Sequence, residues 1–256
     1  MIFEAIILGI VQGLTEFLPV SSTAHLILFP WFLGWKGEVN TLTFDIALHA
    51  GTLAALLLCF WKDWIELFIK KQKLFGMIIL ASIPAGVVGF FLNDIVEKNL
   101  REPVLISMML IVVGFIMLAA EKSEQYKDME KTNYMDALSI GIAQAIALIP
   151  GVSRSGITIS AGLFKGLKRE ASARFSFLIA TPIIAGATVL HLRKLLSSQG
   201  LYDFQLLSAG IITSFVTGVI AIKFLMNFLK KYPLNIFVYY RFILAVVIIA
   251  SIWLRG

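Results

Sequence analysis

Apolar runs separated by short polar segments extend along the whole chain. Six of these runs are long enough to cross a bilayer, since a spanning helix needs about 20 mostly apolar residues. They are Phe44 to Trp61, Leu74 to Leu92, Pro103 to Ala120, Phe175 to Leu190, Phe204 to Ile222 and roughly Leu234 to Leu254, the last of which contains Arg241. The pattern predicts an all-α polytopic membrane protein, with residues 1–256 in a single integral membrane domain.

Two other apolar segments, Ile2 to Trp35 and Tyr134 to Phe164, are interrupted by Pro, Gly and Ser. Such interruptions predict broken re-entrant helix hairpins that enter and leave the membrane on the same side. Non-helical backbone at membrane depth must be buried in protein or line a wet cavity. We therefore expect a polar cavity near the midplane.

The two broken segments resemble each other. Residues 9–22 parallel residues 141–154, and the likeness continues along the chain at an offset of about 131 to 132 residues. This self-similarity predicts an internal duplication, with one repeat over 1–130 and the other over 131–256. Because one re-entrant hairpin plus three spans makes an odd number of crossings, we expect the two repeats to have inverted topology.

Composition narrows the class of protein. The chain is 59% hydrophobic and 15% charged, with a mean hydropathy of +0.88, whereas soluble domains carry about 25% charged residues. Soluble, disordered, fibrous and nucleic-acid-binding classes are therefore excluded, despite a net charge of +6. Cys59 is the single cysteine, so no internal disulfide is possible. The residues after Met1 lack a positively charged region, so we expect the first apolar segment to be retained.

Lys and Arg are more numerous in the loops on one side of the predicted spans. That side carries Lys62, Lys70, Lys71, Lys73, Lys122, Lys127, Lys131, Lys165, Lys168, Arg169, Arg174, Lys230 and Lys231. The other side carries Lys36, Lys98, Arg101, Arg193, Lys194 and Arg255. The positive-inside rule assigns the first side to the cytoplasm. The first hairpin is then expected to enter from outside and the second from inside.

Charged residues within membrane segments are costly and commonly functional, and the first hairpin contains an acid. Gln12 and Glu16 are four residues apart and share a helix face, whereas Ser22 and His25 share a face of the next helix. This set suits an anion together with a cation held by the carboxylate. A hydrogen bond between helices is the alternative for Gln12, and we expect Ser21 and Thr23 to be helix caps.

The second hairpin carries the complementary charge. Arg154 supplies a planar donor fork suited to phosphate, and Gly151 allows a close approach of the backbone. Ser153 and Ser155 flank a helix start whose N–H groups favour anions. Thr158 lies three residues after Ser155, on the same face. The alternative for each hydroxyl is tight packing between membrane helices.

A second pair, Asp45 and His49, lies four residues apart near one end of the first span. This pair could relay protons or brace the site, and the wet end of a span favours bracing. His191, beside Arg193 and Lys194, is expected at the membrane interface. The aromatic residues expected to anchor span ends are Trp31, Trp35, Trp61, Trp64 and Trp253.

The segments Gln12–His25, Phe44–Thr52 and Pro150–Thr158 resemble the conserved segments of the bacterial undecaprenyl-diphosphatase family, also called BacA or the bacitracin resistance protein. Its first signature is Glu or Gln, three residues, then Glu. Its second is Pro-Gly-x-Ser-Arg-Ser-x-x-Thr, which this chain matches at every fixed position. Ala24 departs from the glycine expected before the histidine.

The resemblance implies hydrolysis of undecaprenyl diphosphate to undecaprenyl phosphate, which recycles the lipid carrier for peptidoglycan synthesis and gives bacitracin resistance. It implies that Glu16 and Gln12 hold Mg²⁺ or Ca²⁺, while Arg154, Ser153 and Ser155 hold phosphate. The expected partners are a polyprenyl diphosphate and the bilayer of the bacterial plasma (inner) membrane, with no nucleic acid. The active site is expected to face the outer side of this membrane. A homodimer is a further possible partner arrangement.

Two questions stay open at this point. The nucleophile could be Ser22 with His25 as base, His25 itself, or an activated water. The rival function is an inverted-repeat transporter or flippase for an anionic lipid or metabolite. Ser22 and His25 beside an acid favour an enzyme, because a carrier needs an anion cradle but no acid–base pair.

Overall fold

The computed structural model describes residues 1–197 and 203–255, without the side chains at positions 42, 92–99, 191–197 and 255. Expectations for His191, Arg193 and Lys194 lie outside the described side chains. In the described residues the elements are helical, and no strand occurs. The α-helices are α1 (Ile2–Phe17), α2 (Ser22–Leu33), α3 (Leu42–Cys59), α4 (Trp61–Ile69), α5 (Gln72–Asn99), α6 (Pro103–Glu121), α7 (Tyr134–Ile146), α8 (Arg154–Phe164), α9 (Arg169–Ser197), α10 (Phe204–Leu229) and α11 (Asn235–Arg255).

Five of the described helices, α5, α6, α9, α10 and α11, are long and apolar enough to cross a membrane. A sixth span arises if α3 and α4 count together, although this pair is bent by 64° at Phe60. Local sequence explains several helix starts: Thr41 caps α3, Pro103 opens α6, and Asn133 with Asp136 forms a capping box on α7. The prediction of an all-α polytopic membrane protein is confirmed.

The two predicted hairpins are α1 with α2, joined by the first break (residues 18–21), and α7 with α8, joined by the second break (residues 147–153). Ser21 (φ 77°) and Ser153 (φ 70°) are the two non-glycine residues with positive φ in the described backbone. Each one caps the helix that follows, accepting from the N–H of Ala24 (3.4 Å) or Gly156 (3.2 Å). The two breaks therefore end in the same local geometry, while the repeat boundary at residue 130 stays a prediction.

Each hairpin packs against a helix from the other half of the chain, since α1 lies along α10 and α7 lies along α5. Glycines permit this close approach. A Cβ atom at Gly13 would lie 2.6 Å from the carbonyl oxygen of Ser214, and one at Gly141 would collide with that of Ala81. The crossed packing brings the two breaks together inside the helix bundle.

Ion pairs join the loops at the end of the bundle that carries most of the basic residues. Arg169 pairs with Glu121, and Glu121 also accepts from the backbone N–H of Leu234 at 2.7 Å. Hydrogen bonds to Glu66 and Glu130 raise the pKa of Lys71. The pairs of Lys71 have exposed side chains and contribute little each. Glu121 is only 7% exposed, so its pair with Arg169 is the better shielded tie between these loops.

Candidate active site

The structure brings the carboxylate of the first hairpin and the guanidinium of the second into direct contact. Glu16 lies in the last turn of α1 and is buried, and Arg154 is the first residue of α8. The Nη2 group of Arg154 donates a hydrogen bond to Oε1 of Glu16. Because a buried charge is tolerated mainly when it is paired, each residue supplies the counter-charge that the other requires.

The second carboxylate oxygen of Glu16 collects three further side chains. The hydroxyl of Ser22 donates to Oε2 at 2.6 Å, and the amide of Gln12 donates at 3.1 Å. His49 places Nε2 at 3.6 Å from the same oxygen. Glu16 therefore holds a hydroxyl, an amide, an imidazole and a guanidinium around one carboxylate.

His49 and Asp45 contact different partners, although they lie one helical turn apart on α3. His49 contacts Glu16 and places its Nδ1 at 2.8 Å from the backbone carbonyl of Asp45. The carboxylate of Asp45 pairs with Arg101 at 3.2 Å, towards the end of the helix. His49 therefore lies in the immediate surroundings of Glu16. Its position near the end of the first predicted span did not indicate this contact.

His25 faces away from this cluster. Its Nδ1 lies 2.7 Å from the carbonyl oxygen of Ser21, which can only accept, so Nδ1 carries a proton. Its Nε2 lies 2.7 Å from the hydroxyl of Tyr240, on whose ring it also stacks. The expected pair of Ser22 with His25 as its base is not formed, because both ring nitrogens engage other partners.

The hydroxyls of the second hairpin bond within the protein. Ser153 caps α8, Ser155 donates to the carbonyl oxygen of Leu18 at 3.2 Å, and Thr158 donates to that of Arg154 at 2.7 Å. Ser155 thereby links the two breaks directly. These bonds give the hydroxyls a bracing role in the described state, and their expected contact with substrate stays a prediction.

The backbone conformation and the surroundings of Gly151 require a glycine at this position. Its φ is +92°, and a Cβ atom would lie 2.7 Å from the carbonyl oxygen of Ile106 on α6. A larger residue would therefore push the second break away from α6. Of the two expected caps, Ser21 caps α2, whereas Thr23 lines the cavity described below.

Arg241 supports the site structurally, in a way that its sequence position alone did not identify. Its side chain on α11 is fully buried, and its guanidinium donates to backbone carbonyl oxygens of α6 and of both breaks. The acceptors are Leu110 (3.1 Å), Met109 (3.2 Å), Gly151 (2.9 Å), Val152 (3.2 Å) and Pro19 (3.4 Å). Broken helices leave carbonyls without partners, so Arg241 both satisfies them and ties the breaks to α6.

A cavity of about 240 Å³ lies beside the Glu16–Arg154 pair. Its polar lining includes Arg154, His49, Gln144 and Thr188. The cavity extends to Asp45 at the start of α3 and to its partner Arg101 in the loop before α6. Apolar side chains such as Leu26, Ile183 and Ile184 form the rest of the wall. The lining suits a ligand with a charged head and an apolar tail.

The residues present provide a limited ligand set for a divalent cation. Among the described residues, no group of three or more His, Cys, Asp and Glu side chains could hold a metal ion. Glu16 nevertheless supplies a carboxylate, and Oε1 of Gln12 is buried without a partner. Mg²⁺ commonly uses one or two carboxylates and completes its shell with water and substrate phosphates. The donors fit a cation that is shared with a phosphate ligand.

These features define a polytopic all-α membrane protein with a buried acid–base site beside an anion-compatible cavity. The family model described as bacitracin resistance protein BacA matches residues 5–247. The chain belongs to the BacA family, as the sequence motifs predict.

Relatives named undecaprenyl-diphosphatase match the chain along nearly its full length. The protein from Thermodesulfovibrio yellowstonii is 56% identical, over 100% of this chain and 99% of the relative. That from Caldicellulosiruptor bescii is 47% identical, over 99% of this chain and 98% of the relative. That from Desulforudis audaxviator is 46% identical, over 99% of both.

Proposed function

We propose that this protein is a membrane phosphatase that hydrolyses undecaprenyl diphosphate to undecaprenyl phosphate and inorganic phosphate. The observation that carries the proposal is the Glu16–Arg154 contact, with Ser22 on the same carboxylate and with Arg154 in the wall of a cavity between membrane helices. Membership of the BacA family and the names of the relatives support the choice of substrate. The product would return as the lipid carrier to peptidoglycan synthesis, and its supply would give bacitracin resistance.

The chemistry of the substrate matches the two kinds of wall in the cavity. A diphosphate head needs cationic and N–H donors, which Arg154 and Gln144 present. A polyprenyl tail needs apolar contacts that continue into the bilayer, which the walls at Leu26 and Ile183 begin. One site can therefore hold the head without removing the tail from the membrane.

The geometry favours Ser22 over His25 as the group that acts on the terminal phosphate. Ser22 already donates its proton to Oε2 of Glu16 at 2.6 Å, whereas His25 is held by Ser21 and Tyr240. In this proposal the Ser22 oxygen bonds to the terminal phosphorus while its proton moves to Glu16. The P–O bond to the inner phosphate breaks, and its electron pair leaves with the lipid phosphate. Water then cleaves the phosphoserine.

Attack by water is the remaining alternative. Ser22 and Glu16 would then orient the water and accept its proton, and Ser22 would form no bond to phosphorus. Trapping a phosphorylated enzyme after rapid acid quench distinguishes the two routes. Phosphate on a Ser22 peptide supports the covalent route.

A divalent cation, Mg²⁺ or Ca²⁺, forms part of the proposal, with Glu16 and Gln12 as its protein ligands. The partnerless Oε1 of Gln12 beside the carboxylate supports this assignment. Bound there, a divalent cation would neutralise charge on the diphosphate. Arg154 would offer its unpartnered Nη1 group to the phosphate.

We also propose the plasma (inner) membrane as the location, with the cavity open to the outer side. Asp45 and Arg101 lie at that end of the cavity, on the side with fewer basic loops. The positive-inside rule supports this orientation. Cysteine substitution at Lys36, followed by labelling of intact cells with a membrane-impermeant maleimide, measures it directly. Labelling only after the membrane is broken would reverse the orientation.

The decisive experiment measures phosphate release by the protein purified in detergent, with a polyprenyl diphosphate as substrate. We expect release in the presence of Mg²⁺ or Ca²⁺, loss after chelation, and at least about a hundredfold loss in Arg154→Ala. Binding of the substrate without release would favour the transporter and contradict the proposal.

A further inference from the structure

Buried polar atoms without hydrogen-bond partners are concentrated at the cavity. Among the described residues, eight such side-chain atoms occur. Four of them belong to residues that line the cavity: both amide atoms of Gln144, Nη1 of Arg154 and Oγ1 of Thr188. Unpartnered buried polar atoms are rare and costly in folded proteins. Their concentration at one cavity leaves donors and acceptors that a polar ligand could engage.

Gln144 occupies the position in the second hairpin that Gln12 occupies in the first. Gln12 donates to Glu16, four residues further along α1. At the matching distance along the second hairpin the chain has Leu148, so the amide of Gln144 has no acid to bond. The side chain is 2% exposed and lines the cavity.

The guanidinium of Arg154 contacts Glu16 and also lines the cavity. Its Nη2 group donates to Glu16, next to Ser22, whereas its Nη1 group is unpartnered. Because the two Nη groups of a guanidinium diverge from one carbon, they can contact two different anionic groups at once. A diphosphate presents two linked phosphates.

We propose that the cavity contains a second anion subsite, built by Gln144 and Thr188, that binds the phosphate remaining on the lipid. This inference rests on the proposed function, in which the terminal phosphate lies against Ser22 and Arg154. The amide N–H of Gln144 and the hydroxyl of Thr188 donate to the inner phosphate. The Nη1 group of Arg154 reaches the bridge between the two phosphates, and Ile183 and Ile184 contact the first part of the tail.

The subsite predicts that the site binds polyprenyl monophosphate and inorganic phosphate through different residues. Inorganic phosphate needs only the region of Ser22 and Arg154. A polyprenyl monophosphate, the product, keeps the phosphate that Gln144 holds. Removing the donors of Gln144 should therefore weaken the lipid phosphate and leave inorganic phosphate unaffected.

The test compares inhibition of the hydrolysis by polyprenyl monophosphate and by inorganic phosphate. Gln144→Leu removes both amide atoms at similar volume, and Gln205→Leu is the matched control because Gln205 is exposed at the start of α10. Hydrogen bonds to charged groups contribute about 1.5–3 kcal/mol, which corresponds to about 10- to 100-fold in affinity. We expect Gln144→Leu to weaken inhibition by the lipid monophosphate, and to raise KM, by at least about tenfold.

Inhibition by inorganic phosphate should stay within about twofold of the parent protein, and kcat should change less than KM. Equal weakening of both inhibitors, weakening of inorganic phosphate alone, or no change in either would overturn the subsite. Thr188→Val serves as the second variant if Gln144→Leu does not fold. Unchanged inhibition by the lipid monophosphate in Thr188→Val would also contradict the proposal.

A direct binding measurement separates this inference from the proposed function. Quenching of tryptophan fluorescence by polyprenyl monophosphate reports binding without any turnover. If the parent protein binds this lipid and Gln144→Leu binds it at least about tenfold more weakly, the subsite stands even where no phosphate is released. Hydrolysis with unaltered binding in Gln144→Leu would support the function and refute the subsite.

Discussion

The two hairpins have the same backbone break and different chemistry. In each, a helix ends before a proline, and a serine with positive φ caps the next helix. The first hairpin places an acid, Glu16, before its break, whereas the second has Leu148 at the matching position. The break supplies a helix start, where the first N–H groups lack partners within the helix, and the side chains at its edges determine the chemistry of the site.

The residue directly after each capping serine shows the same division. It is Ser22 in the first hairpin and Arg154 in the second, and both side chains reach the carboxylate of Glu16. Equivalent backbone positions therefore deliver a hydroxyl and a guanidinium to one acid from two directions. Two identical copies of the break would repeat one charge, whereas the two unlike copies place a hydroxyl and a guanidinium against the same acid.

Removing either charge should produce the largest effect, because it deprives the site of a group and leaves its partner without a counter-charge. We expect Glu16→Gln and Arg154→Ala each to lower kcat/KM by about 10²- to 10³-fold. The measurement is phosphate release from a polyprenyl diphosphate. Ser21→Ala, which removes a cap only, provides the comparison, and an equal loss in all three variants would count against the assignment.

The charge-exchanged double variant Glu16→Arg with Arg154→Glu sharpens this contrast. It retains one acid and one base but transfers each to the other hairpin. Activity should stay as low as in the single variants, because Ser22 would then lie beside a cation. Recovery of most of the activity would show that the pair acts only as a structural tie.

Arg241 should have the next largest effect, this time on stability, since it serves both breaks at once. Arg241→Met removes donors from buried carbonyls in α6 and in the two breaks. Each buried group left without a partner costs about 1–3 kcal/mol, so we expect a loss of about 3 kcal/mol or more in unfolding free energy. Thermal unfolding in detergent measures this loss.

Arg241→Lys is the informative comparison, since a lysine can reach only some of the same carbonyls. It should unfold between Arg241→Met and the parent protein. Full stability in Arg241→Met would mean that water replaces the guanidinium at the breaks.

Removing the hydroxyl of Ser22 should lower activity much more than removing the hydrogen bond to His25, although both residues lie at the start of α2. We expect Ser22→Ala to lower kcat at least about a hundredfold, because the hydroxyl on Glu16 is lost. Tyr240→Phe, which removes only the hydrogen bond to His25, should cost less than about tenfold, in line with one hydrogen bond. Steady-state kinetics on both variants decide the point, and a larger loss in Tyr240→Phe would return His25 to the centre of the mechanism.

Sequence patterns were sufficient for the features that depend on local composition. The spans follow from long apolar runs, and the broken hairpins follow from Pro19 and Pro150 within apolar segments. The contact between Glu16 and Arg154 could be expected because two isolated charges in a membrane each need a partner. These inferences need only the energetic cost of burying a charge or an unpaired backbone group.

Features that depend on a distant partner could not be predicted in this way. Helical spacing places His25 on a face with Ser22, yet its ring pairs with Tyr240, which is 215 residues away. The partners of Arg241 are backbone carbonyls, which carry no sequence signature. His49 lies beside Glu16 because α3 packs against α1. The spacing of His49 from Asp45 in the sequence does not predict that packing.

The smallest expected effect tests whether the two breaks are alike in energy as well as in shape. Ser21 and Ser153 hold positive φ values that disfavour a side chain and cost about 1–3 kcal/mol, while their replacement by glycine loses only a few tenths as a cap. Ser21→Gly and Ser153→Gly should therefore each leave thermal stability unchanged or raise it by up to about 1 kcal/mol. Ser208→Gly, in the exposed part of α10, should instead lose about 0.5 kcal/mol. Opposite signs at the two capping serines would mean that the breaks share a conformation but differ in the strain that maintains it.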